Sequence, residues 1–95
     1  MGHKVSIVKA NDQTIYEAVG DAIDMIDGLS DLCPRSKVCI KPNLCGIRSA
    51  ESGLTTDVRV VEAVIRKVLE SKPDRISIVE TNNSQATADR SFMTL

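Results

Sequence analysis

The sequence predicts an α/β fold, a β-α-β-α-β unit with a small three-stranded parallel sheet, and three observations carry that prediction. Short β-branched runs recur at Lys4 to Lys9, Lys37 to Lys41 and Arg75 to Glu80. Two longer segments between them space their apolar residues as helices do, and turn-forming groups (Asn11-Asp12-Gln13, Cys33-Pro34, Pro73-Asp74) separate the two kinds of segment. Strands alternating with amphipathic helices imply right-handed crossovers and a parallel sheet.

In the first strand Val5 and Ile7 alternate with Ser6 and Val8, the period-two signature of a strand. Thr14 and Glu17 then have the spacing of a capping box, in which the hydroxyl accepts the N3 amide and the carboxylate returns to the cap amide. Ile15, Ala18, Val19, Ala22, Ile23, Ile26 and Leu29 form one helical stripe, and Gly28 and Ser30 mark its end. Acidic residues Glu17, Asp21, Asp24 and Asp27 punctuate this helix as a solvated face.

Lys37-Val38-Cys39-Ile40-Lys41, bounded by Pro34 and Pro42, reads as a buried strand. From Val58 to Glu70 a second stripe comprises Val58, Val61, Val64, Ile65, Val68 and Leu69, with Arg59, Glu62, Arg66 and Lys67 on the other side and Thr56 or Asp57 as its cap. By parity Val5, Ile7, Val38, Ile40, Ile76 and Ile78 share one sheet face, the bulkier one, and the helices are expected mainly there. A parallel sheet is normally covered on both sides. The second face, with Val8, Cys39 and Val79, therefore calls for a cover, and another subunit or the missing remainder of the chain is the candidate. A third helix begins near Thr87. Residues 1–95 form a single α/β domain in this reading, the N-terminal fragment of a longer one.

Composition bounds the function classes. Apolar residues make up 42% and the formal net charge is -1, which suits a globular protein whose core is aliphatic, since Tyr16 and Phe92 are its only aromatic residues. No basic stripe is available for nucleic acid, and no apolar run approaches the about 18 residues of a membrane span. A cytoplasmic protein is the expectation. Met1-Gly2-His3-Lys4-Val5-Ser6 fits a myristoylation pattern and Asn82-Asn83-Ser84 a glycosylation sequon, but the first merges into a strand and the second requires secretion. Cys33, Cys39 and Cys45 have five residues between neighbours, a spacing that matches neither C-x-x-C redox chemistry nor zinc knuckles. They are read as free thiols, with Cys39 a small buried hydrophobe and Cys45 alone placed where chemistry is feasible. His3 is the single histidine, far from the carboxyl edge of the sheet, so triad and histidine-ligand metal chemistry find no support.

Ligands of open α/β sheets bind beyond the carboxyl ends of the strands. At that edge the connection from Pro42 to Thr55 spans about fourteen residues, against the roughly two to six usual there. Lys41-Pro42-Asn43 opens the loop and Gly53-Leu54-Thr55-Thr56-Asp57 closes it onto a helix N-terminus, whose free N–H groups and dipole favour an anion. An anion or carboxylate site made by Lys41, Asn43, Thr55 and Thr56 is the functional reading, and Glu80, with the amides that follow the third strand, suits a metal or a substrate hydroxyl. Each residue also has a plain structural role open to it: a strand-end charge for Lys41, an Asx turn for Asn43, a cap for Thr56, turn chemistry around Glu80. Neither the dinucleotide nor the P-loop glycine fingerprint is present.

Lys37-Val38-Cys39-Ile40-Lys41-Pro42-Asn43-Leu44, then Gly53-Leu54-Thr55-Thr56-Asp57-Val58-Arg59-Val60-Val61, then Ile78-Val79-Glu80, resembles the family called domain of unknown function 362. The likeness spans nearly the whole chain. It implies that Lys41, Asn43, Thr55, Thr56, Asp57 and Glu80 are site positions. Many longer members are iron-sulfur proteins, with a ferredoxin-like segment after the α/β part; this chain carries no such segment, so the resemblance implies an iron-sulfur cluster in longer relatives and no cofactor on this chain. It leaves the reaction unassigned. Three uses follow as expectations: a ligand-binding α/β unit that takes a small anionic ligand and works with an iron-sulfur or redox partner, a noncatalytic interaction module, or an inactive truncated fragment.

Overall fold

The computed structural model describes residues 2–44, 50–53 and 55–80. Two helices, α1 (Ile15–Met25) and α2 (Val58–Leu69), pack against each other, and two four-residue strands, β1 (Lys37–Ile40) and β2 (Arg75–Ile78), form a parallel sheet. A short 3-10 turn at Ala50–Ser52 interrupts the loop between β1 and α2. The register pairs Lys37 with Arg75, Val38 with Ile76, Cys39 with Ser77 and Ile40 with Ile78. Beyond the ladder, the Val79 amide donates to the Ile40 carbonyl at 2.9 Å. At the opposite edge the Asp74 amide donates to the Ser36 carbonyl at 2.9 Å. The class is therefore α/β, with β1, α2 and β2 as its parallel crossover. The expected third helix near Thr87 lies outside the described residues.

The three-stranded sheet is not observed, because Lys4 to Lys9 joins no ladder among the described residues. The segment is instead held along α1: the Ser6 hydroxyl donates to the Ala22 carbonyl at 2.6 Å, and Lys4 pairs with Asp27 at 3.6 Å. Its two-residue alternation survives in burial, but inverted. Ser6 and Val8 are half-buried, whereas Val5 and Ile7 are 84% and 89% exposed. Alternation specifies two faces; it does not supply the neighbouring strand whose N–H and C=O groups make a ladder.

Helix α1 begins without the expected capping box. Thr14 occupies the cap position but its side chain makes no cap hydrogen bond. The start is instead ordered by Asn11, whose carboxamide oxygen accepts from the Gln13 amide at 2.8 Å and the Thr14 amide at 3.1 Å, an Asx turn. At the other end the Gly28 amide donates to the Ile23 carbonyl at 3.0 Å and the Asp27 amide to the Asp24 carbonyl at 3.1 Å. This is a Schellman ending with Asp27 at the left-handed position, φ 52°. Leu29, expected within the helical stripe, therefore lies beyond the helix.

On α2 the buried residues are Val61, Ala63 and Val68, joined in the core by Ala18 of α1 and by Leu44 of the loop. Val58 and Leu69, at the two ends of the expected stripe, remain about half exposed. Within the sheet Val38, Ile40 and Ile76 are half-buried. Cys39 is exposed rather than buried, since the sheet face it shares with Val79 is open to solvent at that point.

Polar contacts complete the helix pair. The Tyr16 hydroxyl donates to Glu62 Oε2 at 2.8 Å, and the Arg66 guanidinium sits over the Tyr16 ring at 4.3 Å. Near the helix C-termini the Lys67 methylenes pass over Gly20, bringing the ammonium to Asp24 at 2.9 Å and Glu70 at 3.1 Å. Acidic residues expected to form a purely solvated face thus acquire partners, Asp24 with Lys67 and Asp27 with Lys4, although such exposed pairs contribute little each.

Helix α2 ends before Lys72, a non-glycine residue at φ 48° that is followed at once by Pro73. A Cβ in this region costs about 1–2 kcal/mol, partly offset by the lower unfolded-state entropy of a non-glycine residue. Lys72→Gly is therefore expected to stabilise the fold by roughly 0.5–1 kcal/mol, read as a higher urea midpoint with an unchanged slope.

Candidate functional site

The site begins where β1 ends. Pro42 is buried, its lack of an N–H ends the ladder, and Leu44 enters the core at 6% exposure, so the chain is anchored on both sides of Asn43. The far end of the loop is brought back to the same point. The Asn43 amide donates to Thr56 Oγ1 at 2.9 Å, and the Thr56 amide donates to the Asn43 carbonyl at 2.7 Å. Gly53, at φ 78°, turns the chain in a conformation that suits a residue without a Cβ, after its amide donates to the Ala50 carbonyl at 3.0 Å. Thr55, adjoining the clamp, is 6% exposed.

Asp57 caps α2. Its Oδ1 accepts from the Arg59 amide at 2.8 Å, and its two oxygens receive the Arg59 guanidinium at 3.1 and 2.8 Å. The same guanidinium reaches Asp12 at 3.1 Å, tying the turn before α1 to the start of α2. The Arg59 side chain, followed by its backbone amide, holds the Asp57 carboxyl below its usual range, while the two carboxylates raise Arg59. A helix start expected to offer open N–H groups to an anion is therefore already supplied with one, its own cap. Arg59 is the residue that helical spacing misses: the stripe places it among outward charges, and only the i, i+2 relation to Asp57 in the sequence hints at the fork.

Lys41 and Glu80 continue the two strands beyond their last ladder pair and meet at 3.1 Å. The Lys41 side chain is 56% exposed whereas that of Glu80 is only 5% exposed. A surface lysine is thus paired with a nearly buried glutamate. All six expected residues, Lys41, Asn43, Thr55, Thr56, Asp57 and Glu80, lie at the carboxyl edge, with Thr56 and Asp57 occupied in closing the loop and starting the helix. Residues 45–49, Leu54 and 81–84 of the neighbouring loops, Cys45 included, lie outside the described residues.

A cavity of about 420 Å³ opens elsewhere, between the C-terminal ends of the helices beside Asp24, Lys67 and Glu70. It belongs to the edge where Ser36 meets Asp74, opposite the loop site. Cys33 is also at that edge; a backbone hydrogen bond from Arg35, then the Ser36 hydroxyl, hold its thiol below the usual range. Among the described residues no group of three His, Cys, Asp or Glu side chains is arranged to hold a metal ion, so these residues do not fit a cluster. Among them, too, no helix is long and apolar enough to cross a membrane.

Fold and edge together define a small parallel crossover unit with a clamped, polar loop beyond its strands. The family model described as Domain of unknown function (DUF362) matches residues 38–94, more than half of the chain, and the chain belongs to that family. No curated protein and no solved structure matches it.

The depressed Asp57 carboxyl sets a pH dependence. A group whose folded pKa lies below its unfolded value, about 3.9 for Asp, contributes stability that is present above that value and lost as pH falls through the folded pKa. Asp57→Asn keeps a capping side chain but removes the charge. The variant is expected to be less stable than the parent by a constant amount above about pH 5, with the gap closing on acidification below about pH 3.9. Urea midpoints of the two proteins across that range check it.

Proposed function

We propose that the carboxyl edge of the sheet is one wall of a binding site for a small anion or carboxylate, the wall of a ligand-binding α/β unit that works beside an iron-sulfur or redox partner. Lys41 and Asn43 face the ligand in this reading. Glu80 orients Lys41, and Thr55, Thr56 and Asp57 form the frame that fixes the loop. The observation that carries it is the Lys41–Glu80 pair: a lysine whose side chain is 56% exposed, held at 3.1 Å by a glutamate whose side chain is only 5% exposed, at the point where α/β sheets bind their ligands. A side chain held in one place loses less entropy when it binds. Family membership supports attention to this edge, since the matched region contains all six residues.

Acetate titrated into the ¹⁵N-labelled chain is expected to shift the Lys41 and Asn43 amide resonances. Lys41→Ala removes a charge-assisted contact worth about 1 kcal/mol or more at such a surface, so affinity should fall about fivefold or more. Equal affinity for the two proteins overturns the placement.

A second reading, an interaction module that pairs with another copy of the chain, is favoured by Val5 and Ile7 at 84% and 89% exposure and by the exposed Cys39 and Val79 on one sheet face. Sedimentation velocity over a hundredfold concentration range separates the two. Growth of a dimer boundary supports the module, and a monomer throughout counts against it.

A further inference from the structure

The described residues leave one face of the sheet open. Register and alternation set Lys37, Cys39, Arg75, Ser77 and Val79 on it. Cys39 is exposed and Val79 is 39% exposed, whereas on the other face Val38, Ile40 and Ile76 are half-buried and only Ile78, at its end, is exposed. A parallel sheet is normally covered on both sides. At the amino end of the open face Lys37 and Arg75 are register partners, two exposed cations on strands about 4.8 Å apart. Neither makes an ion pair among the described residues. A cover that suits this face is apolar along its length and negative at the end that reaches these two side chains.

We propose that residues 87–95 of this chain are that cover, a helix running from the carboxyl edge back to the amino edge with Ala88, Phe92 and Leu95 against Cys39, Ser77 and Val79. The segment lies outside the described residues, and its sequence, its length and the charge of the face favour it. Ala88, Phe92 and Leu95 recur at spacings of four and three, one stripe of a helix, with Asp89, Arg90, Met93 and Thr94 off it. The described chain leaves β2 at the carboxyl edge, and residues 81–86 supply a connection within the roughly two to six residues usual there. A helix over 87–95 rises about 13 Å, which matches a four-residue strand at about 3.3 Å per residue. In this direction its C-terminus, the negative end of the helix dipole, arrives at Lys37 and Arg75. The family match runs to residue 94, so the segment belongs to the same unit as the sheet. A second copy laid on this face suits it less, because it brings the same two cations, and β1 and β2 carry no carboxylate to receive them.

Phe92 and Tyr16 are the only aromatic residues, so contacts of the single phenyl ring are read without ambiguity. In the full chain, nuclear Overhauser effects are expected between the Phe92 ring and the Val79 methyls. A mixture of ¹³C-labelled and unlabelled chain separates the sources: an effect within one chain supports the proposal, whereas an effect only between chains assigns the face to a second copy and overturns it. Absence of any effect between Phe92 and Val79 overturns it as well. With Cys33→Ser and Cys45→Ser in place, Cys39 is the one thiol left to report the cover. Its reaction with dithiobis(nitrobenzoate) is expected to quicken about tenfold or more when Phe92→Ala is added, since access limits the rate. An unchanged rate overturns the docking. The Overhauser measurement uses the unaltered sequence, so the proposal stays falsifiable if a variant does not fold.

Discussion

The reciprocal hydrogen bonds between Asn43 and Thr56 are the constraint on which the rest of the structure depends. They join the exit of β1 to the entrance of α2 across a loop of about fourteen residues, and a loop of that length costs conformational entropy to close. Both bonds use Asn43 backbone groups, so their geometry follows the backbone that Pro42 has fixed on one side and the buried Leu44 on the other. With this closure in place α2 starts beside the strand it follows and returns the chain to β2 in register. A two-stranded parallel sheet has no hairpin to align it, so the crossover must do so.

The two edges of the sheet divide the work. At the amino edge the helix C-termini, Lys67 with Asp24 and Glu70, and the Ser36 carbonyl that receives Asp74 bind neighbouring elements to one another. At the carboxyl edge Asn43 with Thr56 and Asp57 with Arg59 hold the loop and the helix start in shape, while Arg59 with Asp12 and Lys41 with Glu80 tie them to the turn before α1 and to the end of β2. Arg59 connects these layers, because its fork satisfies the cap while its outer nitrogen reaches the turn that precedes α1.

How much of this was legible depends on whether a residue's role is set by its near neighbours in sequence. Helix α2 is local: Val61 and Val68 recur at helical spacing, Asp57 sits at the cap, and its observed range nearly coincides with the spacing. Strands β1 and β2 are also visible, being short, apolar and bounded by prolines or turns, and their parallel pairing follows from the helix between them. The strand expected at Lys4 to Lys9 is not formed, since a ladder requires a partner that alternation cannot name, and Ser6 spends its hydroxyl on Ala22 sixteen residues away. The start of α1 shows the same limit at shorter range: the spacing of Thr14 and Glu17 satisfies a capping box, yet the Thr14 amide that Glu17 would accept is taken by Asn11 in an Asx turn. That all six expected residues lie at one edge was legible because strand ends and helix starts converge by topology. Their pairing was not, because the contact of Lys41 with Glu80 joins residues nearly forty apart.

That pairing changes what the edge can be. An unmatched lysine beside an open helix start would attract anions of any charge and geometry, and such a site selects poorly. A lysine paired at 3.1 Å with a nearly buried carboxylate keeps two of its three donors, so in the proposed site recognition depends more on direction and distance than on field. The buried member is the one that makes this durable: exposed ion pairs exchange partners at little cost, whereas a carboxylate removed from water loses more if its cation leaves. Glu80 therefore does for Lys41 what Asp57 does for Arg59. In both cases an acid at an element end fixes a cation whose other face points outward, and the polarity of the edge arises from how the strands and the helix terminate.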